Sequence, residues 1–120
     1  MQLGIVGLGR IGKRMAHVGR NVFKRVVACD PYLIDGDFPA FVERRDLAGL
    51  FGESDVVSLH VPLNGETRGM VDSKVLGGAK PGAFLVNTAR GAVVDVDAAV
   101  AALDAGKLAG LGLDVLPEEP

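Results

Sequence analysis

The chain has 120 residues, 48% of them hydrophobic and only 5% aromatic, which suits one domain with a core of Val, Leu, Ala and Ile. A formal net charge of −2 gives no electrostatic case for nucleic acid, and no apolar run is long enough to span a membrane. The amino terminus lacks the basic-then-apolar layout of a signal peptide, and the single cysteine, Cys29, has no disulfide partner. A reducing, cytoplasmic setting is expected, with Cys29 a buried, inert thiol and no metal site.

Strand and helix signals alternate in chain order. Residues 3–7 read as a strand and 10–20 as a helix whose basic side, continued in its exit loop to Arg25, is solvated. A second strand covers 26–30, and the Pro, Gly and Asp residues of 31–39 make a loop. Phe41 and Val42 suggest a short edge strand, and Asp46 caps a helical stretch over 47–51. Residues 55–59 form a strand stopped at Pro62. A weak helix over 73–79 is limited by Gly77 and Gly78. Pro81 and Gly82 turn the chain into a strand over 83–87. Asp97 is the expected N-cap of a helix over 98–105, with Gly106 as its C′ residue. A strand over 109–114 closes the series. Six strands alternating with helices imply an α/β fold, a Rossmann-type doubly wound parallel sheet in the order 3-2-1-4-5-6, forming a single domain.

The stretch GIVGLGRIG at residues 4–12 places Gly7, Gly9 and Gly12 in a G-x-G-x-x-G pattern directly after the first strand. Asp30 ends the second strand. That combination is a dinucleotide fingerprint. A pyrophosphate must approach backbone amides at a helix N-terminus, so Gly7 and Gly9 clear its path and Gly12 lets helix and strand lie close. Asp30 can accept from the adenine ribose hydroxyls and would repel a 2′-phosphate, which favours NAD over NADP. The plainer reading makes Asp30 a solvated turn residue and the glycines turn punctuation.

Ligands of open α/β sheets gather at the carboxyl ends of the strands. The polar residues there are Asp30, His60, the turn Asn87-Thr88-Ala89-Arg90-Gly91, and Asp114 with Glu118 and Glu119 beyond. All are expected to rim one crevice with the glycine loop. Arg90 could clamp a carboxylate through a bidentate pair; the alternative is an ordinary loop arginine.

The stretches GLGRIG, ACDPY, VVSLHVPLNGETRG, KPGAFLVNTARGAVVD and LAGLGLDVLPEEP resemble the cofactor domain of the D-isomer-specific 2-hydroxyacid dehydrogenases, the phosphoglycerate dehydrogenase and glyoxylate/hydroxypyruvate reductase branch above all. The resemblance covers nearly the whole chain. It implies that Arg10 and Ile11 sit over the pyrophosphate, that Val61 and Pro62 line the adenine side, and that Thr88, Ala89 and Arg90 border the nicotinamide half. It also implies that Asp114 lies near the carboxamide and that Arg90 binds the substrate carboxylate and keto oxygen. Glu119 matches the glutamate that orients the family's catalytic histidine.

That histidine follows the glutamate in the family, and the chain stops at Pro120. His17 is expected on the solvated face of the first helix, and His60 matches a non-catalytic histidine of the LHVPL stretch. The resemblance therefore implies that residues 1–120 are an NAD-binding domain incomplete at its C-terminal end, with the substrate domain absent. Phe23, where the family commonly has a helix-ending glycine, and the Gly77-Gly78 pair depart from the family pattern. The expected function is the cofactor domain of an oxidoreductase that moves a hydride between NAD(H) and a small 2-hydroxy or 2-keto acid, inactive by itself. The alternatives are a standalone, non-catalytic NAD-binding module or engineered fragment, and a site completed by another chain. An exposed apolar patch and self-association as a homo-oligomer are expected from a sheet whose covering helices are not all encoded.

Overall fold

Short runs rich in Val, Ile and Leu pair side by side because a parallel strand buried on both faces gains from apolar side chains in either direction. The computed structural model describes residues 1–62, 64–87, 89 and 91–113. The strands are β1 (Gln2–Val6), β2 (Arg25–Cys29), β3 (Val42–Arg44), β4 (Val56–Leu59), β5 (Ala83–Asn87) and β6 (Leu108–Leu113). They form one six-stranded sheet in the order β3-β2-β1-β4-β5-β6, with every pairing parallel. The helices are α1 (Arg10–Gly19), α2 (Leu47–Glu53), α3 (Ser73–Gly77) and α4 (Val96–Asp104). The doubly wound sheet expected from the sequence is the observed one.

The two faces are covered unequally. Helices α2, α3 and α4 enclose the larger core, where Leu50, Phe51, Leu76, Ala99 and Ala102 meet Val6, Val57, Leu59 and Leu85 of the sheet. On the opposite face Ala16 of α1 packs with Leu3, Ile5, Val26 and Ala28. Close approach there depends on Gly19, because a Cβ at that position would come within 2.5 Å of Leu3 Cδ2. Register pairs Val56 with Phe84, Phe84 with Gly110, and Ser58 with Val86. These residues share the α1 face, since β1 pairs Leu3 with Val56 and Ile5 with Ser58. Phe84 is 47% exposed, and its ring lies so close over Gly110 that a Cβ there would meet Phe84 Cδ1 at 2.5 Å. Phe84 is thus an exposed large apolar side chain on this strip, with Val56 and Val86 partly exposed beside it.

Helix ends follow local chemistry, with one correction. Asp46, Asp72 and Asp95 cap α2, α3 and α4 by accepting from the amides of Gly49, Val75 and Ala98 at 2.7, 3.0 and 3.2 Å. The α4 cap is thus Asp95 rather than Asp97. Its carboxylate reaches the amide three residues on, so the helix begins earlier and Asp97 falls in the first turn, where its charge suits the positive end of the helix. Helix α3 stops at Gly77 with Gly78 as its C-cap, as the glycine pair suggested. Helix α1 ends at Gly19, and Phe23 closes the exit turn by donating its amide to Gly19 O at 2.7 Å. His17 is exposed, packing edge-on against Phe41. Two short 3-10 turns are present, Asp35–Asp37 in the stretch read as a loop and Gly91–Val93 starting at the end of the turn read at 87–91. No helix among the described residues is long and apolar enough to cross a membrane.

Candidate dinucleotide site

Among the described α-helices, α1 is the one whose start has no side-chain cap: Gly9 occupies the cap position in extended conformation. The first N–H groups of any helix lack an intrahelical acceptor, so this end presents donors to whatever lies beyond it. Gly9 is exposed, and a Cβ there would meet nothing within 4 Å. Gly12 is the opposite case, because its Cβ would fall 2.0 Å from Gly7 O. Gly7 has φ +97°, a conformation that L side chains rarely adopt, and a Cβ would press on His60 O at 2.7 Å. Of the three glycines, Gly7 and Gly12 make the turn possible, and Gly9 leaves its outer side open.

Asp30 holds this loop from the end of β2. Its Oδ2 accepts from Leu8 N at 2.9 Å and its Oδ1 from Tyr32 N at 3.0 Å. A carboxylate offers about four lone-pair sites, so acceptor capacity remains for ligand hydroxyls. Asp30 therefore does two things: it shapes the glycine loop and borders the adjoining cavity.

That cavity holds about 170 Å³ and is lined by Val6, Gly7, Gly9, Cys29, Asp30, Pro31, Tyr32, His60, Val61, Pro62, Glu66, Thr67 and Met70. Val61 and Met70 pack against the larger core, so that wall is anchored rather than free. A wider groove of about 770 Å³ shares Cys29, Asp30, Pro31 and Met70 and continues past Arg44, Arg45 and Asp46 to Leu47.

The β4 wall is built by a tight side-chain turn. Asn64 Oδ1 accepts from Glu66 N and Thr67 N at 2.9 and 3.0 Å, an Asx turn, and Thr67 Oγ1 donates to Pro62 O at 2.6 Å. His60 is half-buried, with Nε2 2.7 Å from Ser58 Oγ, and burial pushes its pKa down. Cys29 is half-buried rather than buried, because β2 ends as the cavity opens. Burial, then the charge of Asp30, pushes its thiol up, so it stays protonated.

The structure brings together six of the residues singled out in the sequence: Gly7, Gly9, Asp30, His60, Val61 and Pro62. Gly12, Arg10 and Ile11 belong to the first turn of α1, where Gly12 is buried and Ile11 is 58% exposed. Ala89 donates its amide to Asn87 Oδ1 at 3.0 Å. Asn87 is fully buried and serves this turn instead of rimming the crevice. Thr88, Arg90, Asp114 and Glu119 lie outside the described residues. Tyr32, Glu66, Thr67 and Met70 were not singled out from the sequence. The Asn-Gly-Glu-Thr run carried the only legible signal for that turn.

The family model described as the NAD binding domain of D-isomer specific 2-hydroxyacid dehydrogenase matches residues 1–120. The glyoxylate reductase of Thermococcus litoralis is 44% identical over 119 residues, covering 98% of this chain and 36% of the relative. A D-lactate dehydrogenase from Treponema pallidum superposes with a TM-score of 0.91 at 39% identity, over 98% of this chain and 35% of that one. The D-lactate dehydrogenase of Aquifex aeolicus, solved with NAD and lactic acid, gives a TM-score of 0.91 at 41% identity over the same shares. The chain spans about a third of the length of such relatives.

Proposed function

The chain belongs to the NAD-binding domain family of the D-isomer specific 2-hydroxyacid dehydrogenases, and from that premise we propose that it is the cofactor part of an oxidoreductase acting between a small D-2-hydroxy acid and its 2-keto partner. The observation that carries this reading is Asp30, which braces the glycine loop while bordering the cavity beside it. NAD, when bound, accepts or donates the hydride. The protein's residues bind and orient.

In this reading the open side of Gly9 and the first-turn amides of α1, at Arg10, Ile11 and Gly12, face the pyrophosphate. Asp30 takes the adenine ribose, and Val61 and Pro62 line the adenine. Thr88, Ala89 and Asp114 border the nicotinamide. Arg90 holds the substrate carboxylate and polarises its keto oxygen, and Glu119 orients a proton-donating histidine supplied from outside residues 1–120. Removing a general acid costs about 10²–10⁴-fold in rate, so residues 1–120 alone bind without turning over. Residues 1–120 are then the NAD-binding domain, and the substrate domain lies elsewhere.

The partially uncovered strip of Val56, Phe84 and Val86 supports self-association. The unpaired, protonated Cys29 agrees with a reducing compartment, the cytoplasm.

The test pairs an NAD titration by calorimetry with an NADH-consumption assay on hydroxypyruvate and glyoxylate. Binding without turnover is expected. No heat on adding NAD would sink the reading, and turnover by residues 1–120 alone would show that no outside histidine is needed. Sedimentation at rising concentration checks self-association, which a monomer throughout would refute.

A further inference from the structure

Two side chains outside the roles above meet across the cavity mouth. Tyr32 follows Asp30 and Pro31 on the β2 side, and Glu66 sits in the turn after β4, 34 residues further along the chain. The Tyr32 hydroxyl donates to Glu66 Oε2, and both residues line the 170 Å³ cavity. Tyr32 is 63% exposed, so burial does not force this contact.

Each partner is held by its own support. Tyr32 N donates to Asp30 Oδ1, and Glu66 N donates to Asn64 Oδ1. Thr67, next to Glu66, ties the turn back to Pro62 on the cavity wall. One connected path of hydrogen bonds thus runs from Leu8 in the glycine loop through Asp30, Tyr32 and Glu66 to the Asn64 turn. The hydrogen bond to Glu66 is the main cause that pushes the Tyr32 phenol up, which keeps the donor protonated.

We propose that Tyr32 and Glu66 form a clasp that fixes the width of this cleft, making both of them positioning residues for the adenosine end of a dinucleotide. The inference rests on the NAD reading above. A planar base binds best between walls already held apart, because ordering two loops on binding opposes affinity. The clasp joins the Tyr32 side of the cleft directly to the Asn64 turn, where the Asn64 side chain also interacts with the phenol.

Calorimetric titrations of the chain with NAD, AMP and nicotinamide mononucleotide test this, using Tyr32→Phe, Glu66→Ala and the double variant. Each single change should weaken NAD and AMP by about three- to tenfold, the range of one ordinary hydrogen bond, as suits an exposed pair. The double variant should be no worse than Tyr32→Phe alone, since that change already removes the Glu66 bond. Nicotinamide mononucleotide binding and the thermal midpoint should not move. Unchanged or tighter AMP binding in the single variants, or additive losses in the double, would overturn the clasp. Asp30→Ala separates the two levels of inference. If it weakens AMP while Tyr32→Phe does not, the clasp alone fails. If wild type binds neither NAD nor AMP, the adenosine site and the clasp fail together.

Discussion

Two aspartates do similar local work at opposite edges of the sheet. Asp55, at the amino edge, accepts from Gln2 N and Lys80 Nζ, each at 2.7 Å, and its backbone bonds to Gln2 and Phe84. Asp30, at the carboxyl edge, accepts from Leu8 N and Tyr32 N. Both carboxylates bridge neighbouring stretches of chain. Asp55 is neutralised by its own lysine, whereas among the described residues Asp30 accepts from two backbone amides, and it borders a cavity. A carboxylate answered by a cation of its own fold is structural. One answered only by amides keeps capacity for a ligand.

The sharpest way to break this contrast is Gly12→Val, which drives a side chain into Gly7 O and should abolish NAD binding while costing about 3 kcal/mol or more of stability, near the upper end for overpacking. Urea unfolding measures it; near-native stability would mean the loop can move aside. Gly9→Val should separate ligand from scaffold. Its Cβ meets nothing, so stability should change by no more than about 1 kcal/mol, the scale of a helix cap, while NAD binding is lost. Retained affinity would place the pyrophosphate elsewhere.

The aspartates themselves come next. Asp30→Ala should weaken NAD by about 10- to 100-fold, the scale of a charged acceptor's hydrogen bonds. Asp55→Ala should leave NAD affinity alone and lower stability by about 1–2 kcal/mol through its lost bonds. Equal effects on binding would erase the distinction between the two edges.

The smallest effects lie in pH. The Lys80 hydrogen bond first, then the Gln2 amide, holds the Asp55 carboxyl below its usual range. Its contribution is present above the unfolded carboxylate pKa and is lost as pH falls through the lower folded value. Burial likewise depresses His60 below 6.5, so the unfolded chain binds the proton first and stability falls as pH drops under that value. Thermal midpoints across pH should show a shallow loss below pH 6.5 that His60→Gln removes, and a later one that Asp55→Asn removes.

How much of this was legible in the sequence differs by scale. Strand order followed from apolar runs alternating with helical stretches, because burial on both faces leaves little choice of topology. The glycine loop and Asp30 were legible because their chemistry is local and the spacing is short. Asp97 misled, since Asp95 and Asp97 both precede the same Ala-rich run and only the backbone path decides which carboxylate reaches the amide. Tyr32 and Glu66 were invisible for another reason: their contact joins turns 34 residues apart, and the local signal of either turn says nothing about the other. Asn87 looked like a rim residue from its place at a strand end, but its side chain turns inward to hold Ala89 N.

The missing cap on α1 reaches beyond ligand geometry. Where Asp46, Asp72 and Asp95 occupy the first-turn donors of their helices, α1 has only Gly9. Hydrogen exchange should therefore be uneven among helices of similar environment, with the amides of Arg10, Ile11 and Gly12 opening to deuterium soonest. Those same amides should be the ones most slowed when a dinucleotide is added. The helix that is least finished at its start is the one whose completion depends on what binds there.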